Sequence, residues 1–428
     1  MGDSCEVDVV VVGAGLAGLT AAVVAARGRT SVVLCDVRQA GGRARSEERD
    51  GFVLNQGPHA LYRAGPGAEV LSRLGVVLSG SRPPRTVSGY HEATGALGRL
   101  PTSAPSLLRS PLLSVADKGR VARVFASLTT CDPVPLGDSS AAEWIGSLGL
   151  GSRGAAVVSA LTRVATYAGD LGLLSADAAV AQLRLARDGV LYLDGGWQSL
   201  VDALAAAAAS AGARTLEGER ATSLRARADG TLEVRTPTRT LQACSVVIAT
   251  GNPTAARALL PHPPAWELGA PTTAACLDLG LRRTPRTMVA YGLDQPLYLS
   301  THGPRAQLAP PGAALVHVMR YGARTTTEDR AQLWALARRC GVGTDDVALQ
   351  RFLHEMVVCH ALPRPGSGLP GRPAIDRTGT AGVFIAGDWV GPVGLLADAA
   401  LASGEAAGRA AAGHAVHRRV TGGAMVGR

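Results

Sequence analysis

The sequence predicts an α/β protein in which a βαβ-based domain, assembled from separated stretches of chain, is interleaved with a second, α+β domain. Three observations predict it. A strand–glycine turn–helix–strand pattern opens the chain at 9–36. Two more buried-strand patterns that run into glycine turns occur far downstream, at 244–251 and 382–389. Long stretches of different character, first helical and then mixed, lie between them. With 428 residues, 46% of them hydrophobic, the chain can bury more than one core. The expected boundaries are 1–85, 186–255 and 355–415 for the first domain, and 86–185 and 256–354 for the second. A tail without fixed structure is expected at 416–428.

The opening segment reads VVVVGAGLAGLTAAVVAARGRTSVVLCD. A valine run ends in Gly13-Ala14-Gly15-Leu16-Ala17-Gly18, an Ala-rich helical pattern follows, and a second apolar run closes at Asp36. This is the Rossmann-type dinucleotide fingerprint in its required context. Gly13 permits the tight turn, Gly15 lets backbone approach a pyrophosphate, and Gly18 lets helix pack on strand. The helix N-terminus offers unpaired N–H groups and a partial positive charge to phosphate. Asp36, with Val37 beside it, stands where a carboxylate accepts hydrogen bonds from a ribose. A second GxGxxG, Gly149 to Gly154, follows a helix-like stretch and precedes no acid-tipped strand. It is expected to be a loop, so no separate nicotinamide-binding domain is expected.

After Asp36 come Gly41-Gly42-Arg43 and Gly57-Pro58-His59, two glycine turns suited to lining an extended ligand, with Arg43 able to reach a phosphate. Residues 86–185 read as helical with Pro and Gly breaks. Gly195-Gly196 start a turn into a helix that stops at Gly212, and the Ala205–Ala209 run is a helix former with no further role. Short strands follow through Val234. The stretch 256–354 mixes strand-like alternation with a helix near 327–340. The last buried strand ends in Gly387-Asp388, and an Ala-rich helix begins near Leu396-Ala397-Asp398.

Composition narrows the function classes. Although formal net charge is +9, Lys118 is the only lysine and the arginines are dispersed. With 4% aromatic residues there is no stacking-rich basic groove, so no nucleic-acid partner is expected. No apolar run reaches the length of a membrane span. The first strand begins within ten residues of Met1, leaving no room for a signal peptide. The seven cysteines are scattered, as expected of reduced thiols in a cytoplasmic protein. Peripheral attraction to the inner membrane face is a secondary expectation, carried by the leucines and basic residues of 107–125. A core-facing amphipathic helix is the first reading of that segment. His414 and His417 are the one close histidine pair and lack further ligands nearby, so no metal is expected. Nothing in the sequence sets an oligomeric state.

Taken together, Gly13–Gly18 with Asp36, Gly41–Arg43, Gly57–His59, Gly195–Trp197, Ile248–Gly251 and Ala386–Asp388 resemble the flavin-containing amine oxidase superfamily. That superfamily includes protoporphyrinogen oxidases and phytoene desaturases, and the resemblance covers nearly the whole chain. The closing run GDWVGPVGLLADAALASGEAAG looks most like the desaturase and protoporphyrinogen oxidase side. The resemblance implies FAD, bound non-covalently. It places the first glycines and Asp36 at the AMP half, Ala221 at the adenine, and Gly42-Arg43 and Gly57–His59 along the pyrophosphate and flavin. Gly387 and Asp388 fall at the ribityl and pyrophosphate region, and the Leu396–Asp398 backbone opens a helix toward the isoalloxazine. A helix N-terminus there stabilises negative charge gained on reduction. Two departures stand out. Asn55 replaces an acid frequent in desaturase-like relatives, and the strand region before the final helices lacks the lysine that amine oxidases often hold near the flavin.

The implied reaction removes a hydride from a largely apolar small molecule to flavin N5 and forms a C=C or C=N bond. Oxygen or a quinone would reoxidise the flavin. His59 is the best-placed catalytic candidate. Tyr62, Tyr167, Asp170, Tyr291, Tyr298, His302, His317 and Tyr321 are lesser ones. Cys359 is expected to be a buried thiol and not a flavin linkage. Three alternatives share the fold: a simple amine oxidase, a non-redox isomerase like UDP-galactopyranose mutase using Arg320 and Arg324, and a lipid-binding protein like the Rab GDP-dissociation inhibitors.

Overall fold

A computed structural model describes residues 4–101, 103–303 and 306–425. Two seven-stranded sheets organise them. The first has a parallel core of Arg214–Glu217, Val32–Asp36, Ser4–Val12, Thr240–Ile248 and Val383–Ile385. Leu232–Arg235 and Ser223–Ala226 extend it antiparallel. Val9 to Val12 and Val246 to Ile248 are buried on both faces, as their uninterrupted apolar runs require. The C-terminal ends of the parallel strands carry Gly13, Asp36, the Ala249–Gly251 turn and the Ala386–Asp388 turn. All four predicted glycine or acid signals therefore share one edge, where open α/β sheets bind ligands.

The helix Leu16–Arg27 packs against the closing helix Leu396–Met425 at close range. A Cβ at Gly404 would strike the Ala17 carbonyl, and one at Gly408 the Ala21 carbonyl. Small residues at this spacing let two helix backbones approach.

The second sheet runs in the order Val347–Cys359, Thr272–Leu281, Ala314–Tyr321, Leu297–Thr301, Val289–Gly292, Ser88–His91, Ala96–Arg99. Its pairings are antiparallel except between Val289–Gly292 and Ser88–His91. One face packs on the helix Thr326–Arg339 through Leu277, Leu279, Val316, Val318, Leu333 and Leu336. The other, inner face meets the helix Ser152–Thr166 and the Gly57–His59 turn.

Four expectations are corrected. Where helix was expected, Ser88–His91 and Ala96–Arg99 form a hairpin of the second sheet joined by a single 3-10 turn at Glu92–Thr94; Gly89 and Gly98 sit where Leu112 leaves no room for a side chain. The Gly149–Gly154 stretch is a turn only to Gly151, which caps the helix Ser152–Thr166. The domain boundary expected at 354 falls inside a strand, Val347–Cys359. The closing helix continues to Met425 instead of fraying at 416, tied by Arg418 to the Asp229 and Gly230 carbonyls and by Arg419 to Asp8. Residues 426–428 of that expected tail lie outside the described ones.

In 107–125, Leu107, Leu113, Val121 and Val124 are buried, as a core-facing segment requires, while Leu108 stays exposed. Among the described residues no helix is long and apolar enough to cross a membrane.

Candidate active site

The glycine turn is held from both sides. Gly13 N–H donates to the Cys35 carbonyl at 2.8 Å, and Gly41 N–H donates to that of Ala14 at 2.7 Å. Asp36 accepts from Ala14 N–H at 2.5 Å and from Arg38 N–H at 3.0 Å. Its carboxylate therefore sits at the mouth of the turn, beside the exposed Val37. Gly15 caps the first helix with no side-chain cap and no acid in the first turn, so the N-terminal N–H groups of the helix stay free for an anion. A Cβ on Gly15 would meet nothing within 4 Å, and one on Gly42 would meet only the Gly15 Cα at 3.7 Å. Two glycine turns facing each other across open space form a cradle that fits a pyrophosphate. Leu16 and Ala17 are buried in the helix packing. Ala221 lies in the loop before Ser223–Ala226, and the neighbouring Glu219 N–H donates to the Asp36 carbonyl at 2.9 Å.

Arg43 joins the two ends of the chain. Its Nη1 lies 3.0 Å from Asp388 Oδ2 and 2.8 Å from the Val358 carbonyl. Asp388 also accepts from His360 N–H at 3.1 Å. The Arg43 guanidinium and these hydrogen bonds outweigh burial and hold the Asp388 carboxyl well below the usual range. Its Oδ1 is buried without a hydrogen bond. Ser403 bridges the Gly387 N–H and carbonyl at 3.0 Å each, and Arg372 holds the Asp388 and Gly394 carbonyls. The closing helix opens on Leu396, whose φ of 55° is left-handed, a conformation that surrounding structure must enforce in leucine. The Asp398 side chain turns to the helix Pro66–Arg73, accepting from Gly67 N–H at 3.1 Å, which leaves the Leu396–Asp398 backbone as the part expected at the cofactor.

The Gly57–His59 turn lies between the two sheets. Gly57 has φ 81°, and a Cβ there would collide with Met356 on the second sheet. Tyr167 O–H donates to the Pro58 carbonyl at 3.2 Å. His59 Nδ1 lies 3.0 Å from the Gly57 carbonyl, and its ring packs on Trp197 at 4.8 Å. Burial pushes His59 down to about 4, so it is uncharged at neutral pH and a weak proton acceptor there. Asn55 is a fastener, accepting from Trp197 N–H at 2.8 Å and Ser46 O–H at 2.7 Å.

Beside this turn six of the seven tyrosines gather. Tyr167 meets Tyr321 edge-on at 5.7 Å, Tyr298 lies 6.4 Å from Tyr321, and Tyr291 stacks on Tyr298 at 5.7 Å. Tyr192 stacks on His302 at 3.6 Å, and Tyr62 O–H donates to the Ala165 carbonyl. Burial raises all six phenols, so every hydroxyl keeps its proton. The Tyr321 hydroxyl and both His302 nitrogens are buried without hydrogen-bond partners, as in a chamber completed by water or a polar ligand group. Asp170 stays outside it, accepting from Gly172 N–H in its own loop.

Sequence reasoning missed Asp278 and Arg351. Asp278 is fully buried, bound by Arg351 Nε and Nη2 at 2.8 and 2.6 Å, with His317 Nδ1 at 2.6 Å. The available signal was a lone acid inside the apolar run AACLDLGL. Cys276, Asp278 and His317 place three ligand-type atoms within 4.8 Å of one another. A cation there would lie against the Arg351 guanidinium, so the cluster does not fit a metal. Cys359 is buried, donates to the Ala361 carbonyl and is pushed up to about 12 by burial, the state of an unreactive thiol. Arg320 lies on the opposite face of its strand, beside Asp329 and Gln332, and is absent from the chamber.

The model of the flavin-containing amine oxidoreductases matches residues 16–411. The chain belongs to this family. Its fold is similar to that of a putrescine oxidase double mutant made in a redesign of cofactor binding (16% identity, TM-score 0.74, 97% of this chain and 100% of that one). It is also similar to a protoporphyrinogen oxidase-like protein from Exiguobacterium sp. 255-15 (16%, 0.67, 96% and 99%) and to a Rab GDI from Plasmodium falciparum (11%, 0.64, 95% and 98%). Comparison with curated proteins finds no sequence match. As a flavin-containing amine oxidoreductase the chain takes FAD, and the cradle between Gly15 and Gly42 fits that cofactor's pyrophosphate.

Proposed function

We propose that this amine oxidoreductase-family protein oxidises a largely apolar, flat small molecule by removing a hydride, forming a C=C or C=N bond. The observation that carries the reading is the tyrosine chamber. Its walls are aromatic faces, its polar groups are neutral hydroxyls and imidazoles, and its one buried charge pair, Asp278–Arg351, is internally neutralised. Such a room favours stacking on a planar apolar skeleton and hydrogen bonding to a neutral polar group. Bound FAD supplies hydride acceptance at N5. The chain's residues hold the substrate, exclude water and take up a proton. Gly15 and the first helix hold the pyrophosphate, and Asp388, locked by Arg43 and His360, holds the ribityl side.

A second reading, oxidation of an amine, draws on the same tyrosine faces, which attract a cation. The retained glycine cradle and the buried Asp388 favour both over a lipid-binding role. Purified protein is expected to be yellow, and acid precipitation should leave the FAD in the supernatant. Anaerobic mixing with polyene or cyclic apolar compounds should bleach the flavin, while putrescine and aromatic monoamines should not. Bleaching by amines alone selects the second reading. Colourless protein that takes up no FAD defeats both. Peroxide release on admitting air separates oxygen from a quinone as acceptor.

A further inference from the structure

We propose that His317, held by Asp278 and Arg351, is the group that accepts the substrate's proton. The inference rests on the flavin-dependent reading and adds to it a residue and an atom. Four strands of the second sheet pair so that Ser300, His317, Asp278 and Arg351 stand opposite one another in a row across the inner face. The row is buried from end to end, and Arg351 continues it to the Asn55 carbonyl, at the start of the Gly57–His59 turn. The next row includes Cys276, which lies with Met356 against Gly57.

The geometry gives each member a task. Arg351 grips Asp278 Oδ2 with two nitrogens and so fixes the carboxylate. Asp278 Oδ1 then accepts a hydrogen bond from His317 Nδ1 at 2.6 Å, which places the ring proton on Nδ1. Nε2 is the ring atom that remains to take up a second proton. It is buried, has no hydrogen-bond partner, and belongs to a ring that meets His302 edge-on at 4.6 Å. A histidine serving only packing has both nitrogens satisfied; this one keeps one bare atom in a chamber with other unpaired polar atoms. Asp278 and Arg351 are positioning residues.

The charges around the ring suit the task. Around His317 are Asp278 and Cys276 from one strand, Tyr298 diagonal to it on the neighbouring strand, His302 just past that strand's end, Arg351 from a third strand with Glu47 behind it, and His59 from the turn. Burial holds Cys276 and Tyr298 protonated and His302 and His59 uncharged. Asp278 and Arg351 neutralise each other, with Glu47 Oε1 3.9 Å from the far side of the guanidinium. A proton taken up on Nε2 therefore adds positive charge to the chamber, and the negative charge that the cofactor gains on reduction offsets it. The step balances: the substrate loses two electrons and two hydrogens. One hydrogen leaves as hydride with both electrons to the flavin, the other as a proton to Nε2, and the double bond forms between the two atoms that lose them.

The test needs no substrate. The flavin midpoint potential of the holoenzyme, reduced with dithionite against a redox dye, is measured between about pH 5 and 9. The wild type should show a segment of steeper pH dependence, where reduction draws an extra proton onto Nε2. His317→Gln should lose that segment, roughly one proton fewer per electron pair. Asp278→Asn should move it to lower pH, since a neutral amide no longer stabilises the imidazolium. A wild-type profile without the segment overturns the proposal, as do superimposable wild-type and His317→Gln profiles. If His317→Gln holds no FAD, an unchanged profile in Asp278→Asn overturns it. Wild-type protein that takes up no FAD defeats the flavin reading, whereas yellow protein with superimposable profiles defeats only the role of His317.

Discussion

Gly13, Gly15 and Gly18 read alike in a motif but do three different physical jobs. Gly13 has φ 105°, and a Cβ there would strike the Ala249 carbonyl; one on Gly18 would strike the Gly13 carbonyl. Gly15 has an ordinary φ of −77° and open space where its Cβ would be. Gly13→Ala and Gly18→Ala should therefore each destabilise the folded chain by more than about 3 kcal/mol. Gly15→Ala should change apoprotein stability by less than about 1 kcal/mol, the scale of a weakened N-cap, while weakening FAD binding at least about tenfold. Thermal unfolding of the three apoproteins and FAD titration of the folded ones check this. Equal FAD affinity in Gly15→Ala would remove the pyrophosphate from that cradle. The sequence shows that these glycines belong to one turn; only the approach of the 249–250 backbone, some 236 residues downstream of Gly13, shows which of them the fold requires.

Helices and strands with a strong local signal were legible; those whose partners are distant were not. The valine runs, the Ala-rich helices and the helix Thr326–Arg339 follow from periodicity. Ser88–His91 and Ala96–Arg99 do not, because glycine weakens a strand signal and their partner strand begins at Val289. Tyrosines scattered from 62 to 321 gave no sign that they share one chamber. The closing helix adds a device invisible in its composition. Asp398, in its first turn, is pushed up to about 7, because burial outweighs the Gly67 N–H that it accepts from. Its unfolded value is about 3.9. A raised acid binds more protons in the folded state, so its contribution is favourable below about pH 4. It falls as pH rises to about 7 and is flat above, by at most about 4 kcal/mol. Asp398→Asn keeps an acceptor for Gly67 and removes the charge. The variant should match the wild type near pH 4 and exceed its Tm at pH 8. Equal Tm values at pH 8 would mean that the two helix N-termini at this carboxylate offset its burial.

At the scale of the whole molecule, segments from both ends of the chain meet at one ligand. The cradle uses Gly15 and Gly42, while Asp388 and the Leu396 turn come from the last tenth of the sequence. Arg43 bonds both Asp388 and the Val358 carbonyl across this meeting through a single partly exposed guanidinium, and Gly67 to Asp398 and Arg73 to Glu405 tie the same ends further out. FAD laid along the same edge would clamp the first helix, the Gly57–His59 turn and the closing helix together. A ligand that binds only the folded chain stabilises it by about 2.7 kcal/mol at a hundredfold excess over Kd. For 428 residues that is a rise of roughly 3 °C in Tm, and proportionately more with tighter binding. Removing FAD should lower the wild-type Tm by at least that amount, and adding it back should restore it. Gly15→Ala should unfold near the Tm of the wild-type apoprotein and gain less from the same FAD concentration, because its defect lies in the ligand and not in the fold. Equal Tm values for wild-type apo- and holoprotein would show that the frame closes without its cofactor, leaving the Arg43 bonds and the packing of the first and closing helices to hold the two ends of the chain together.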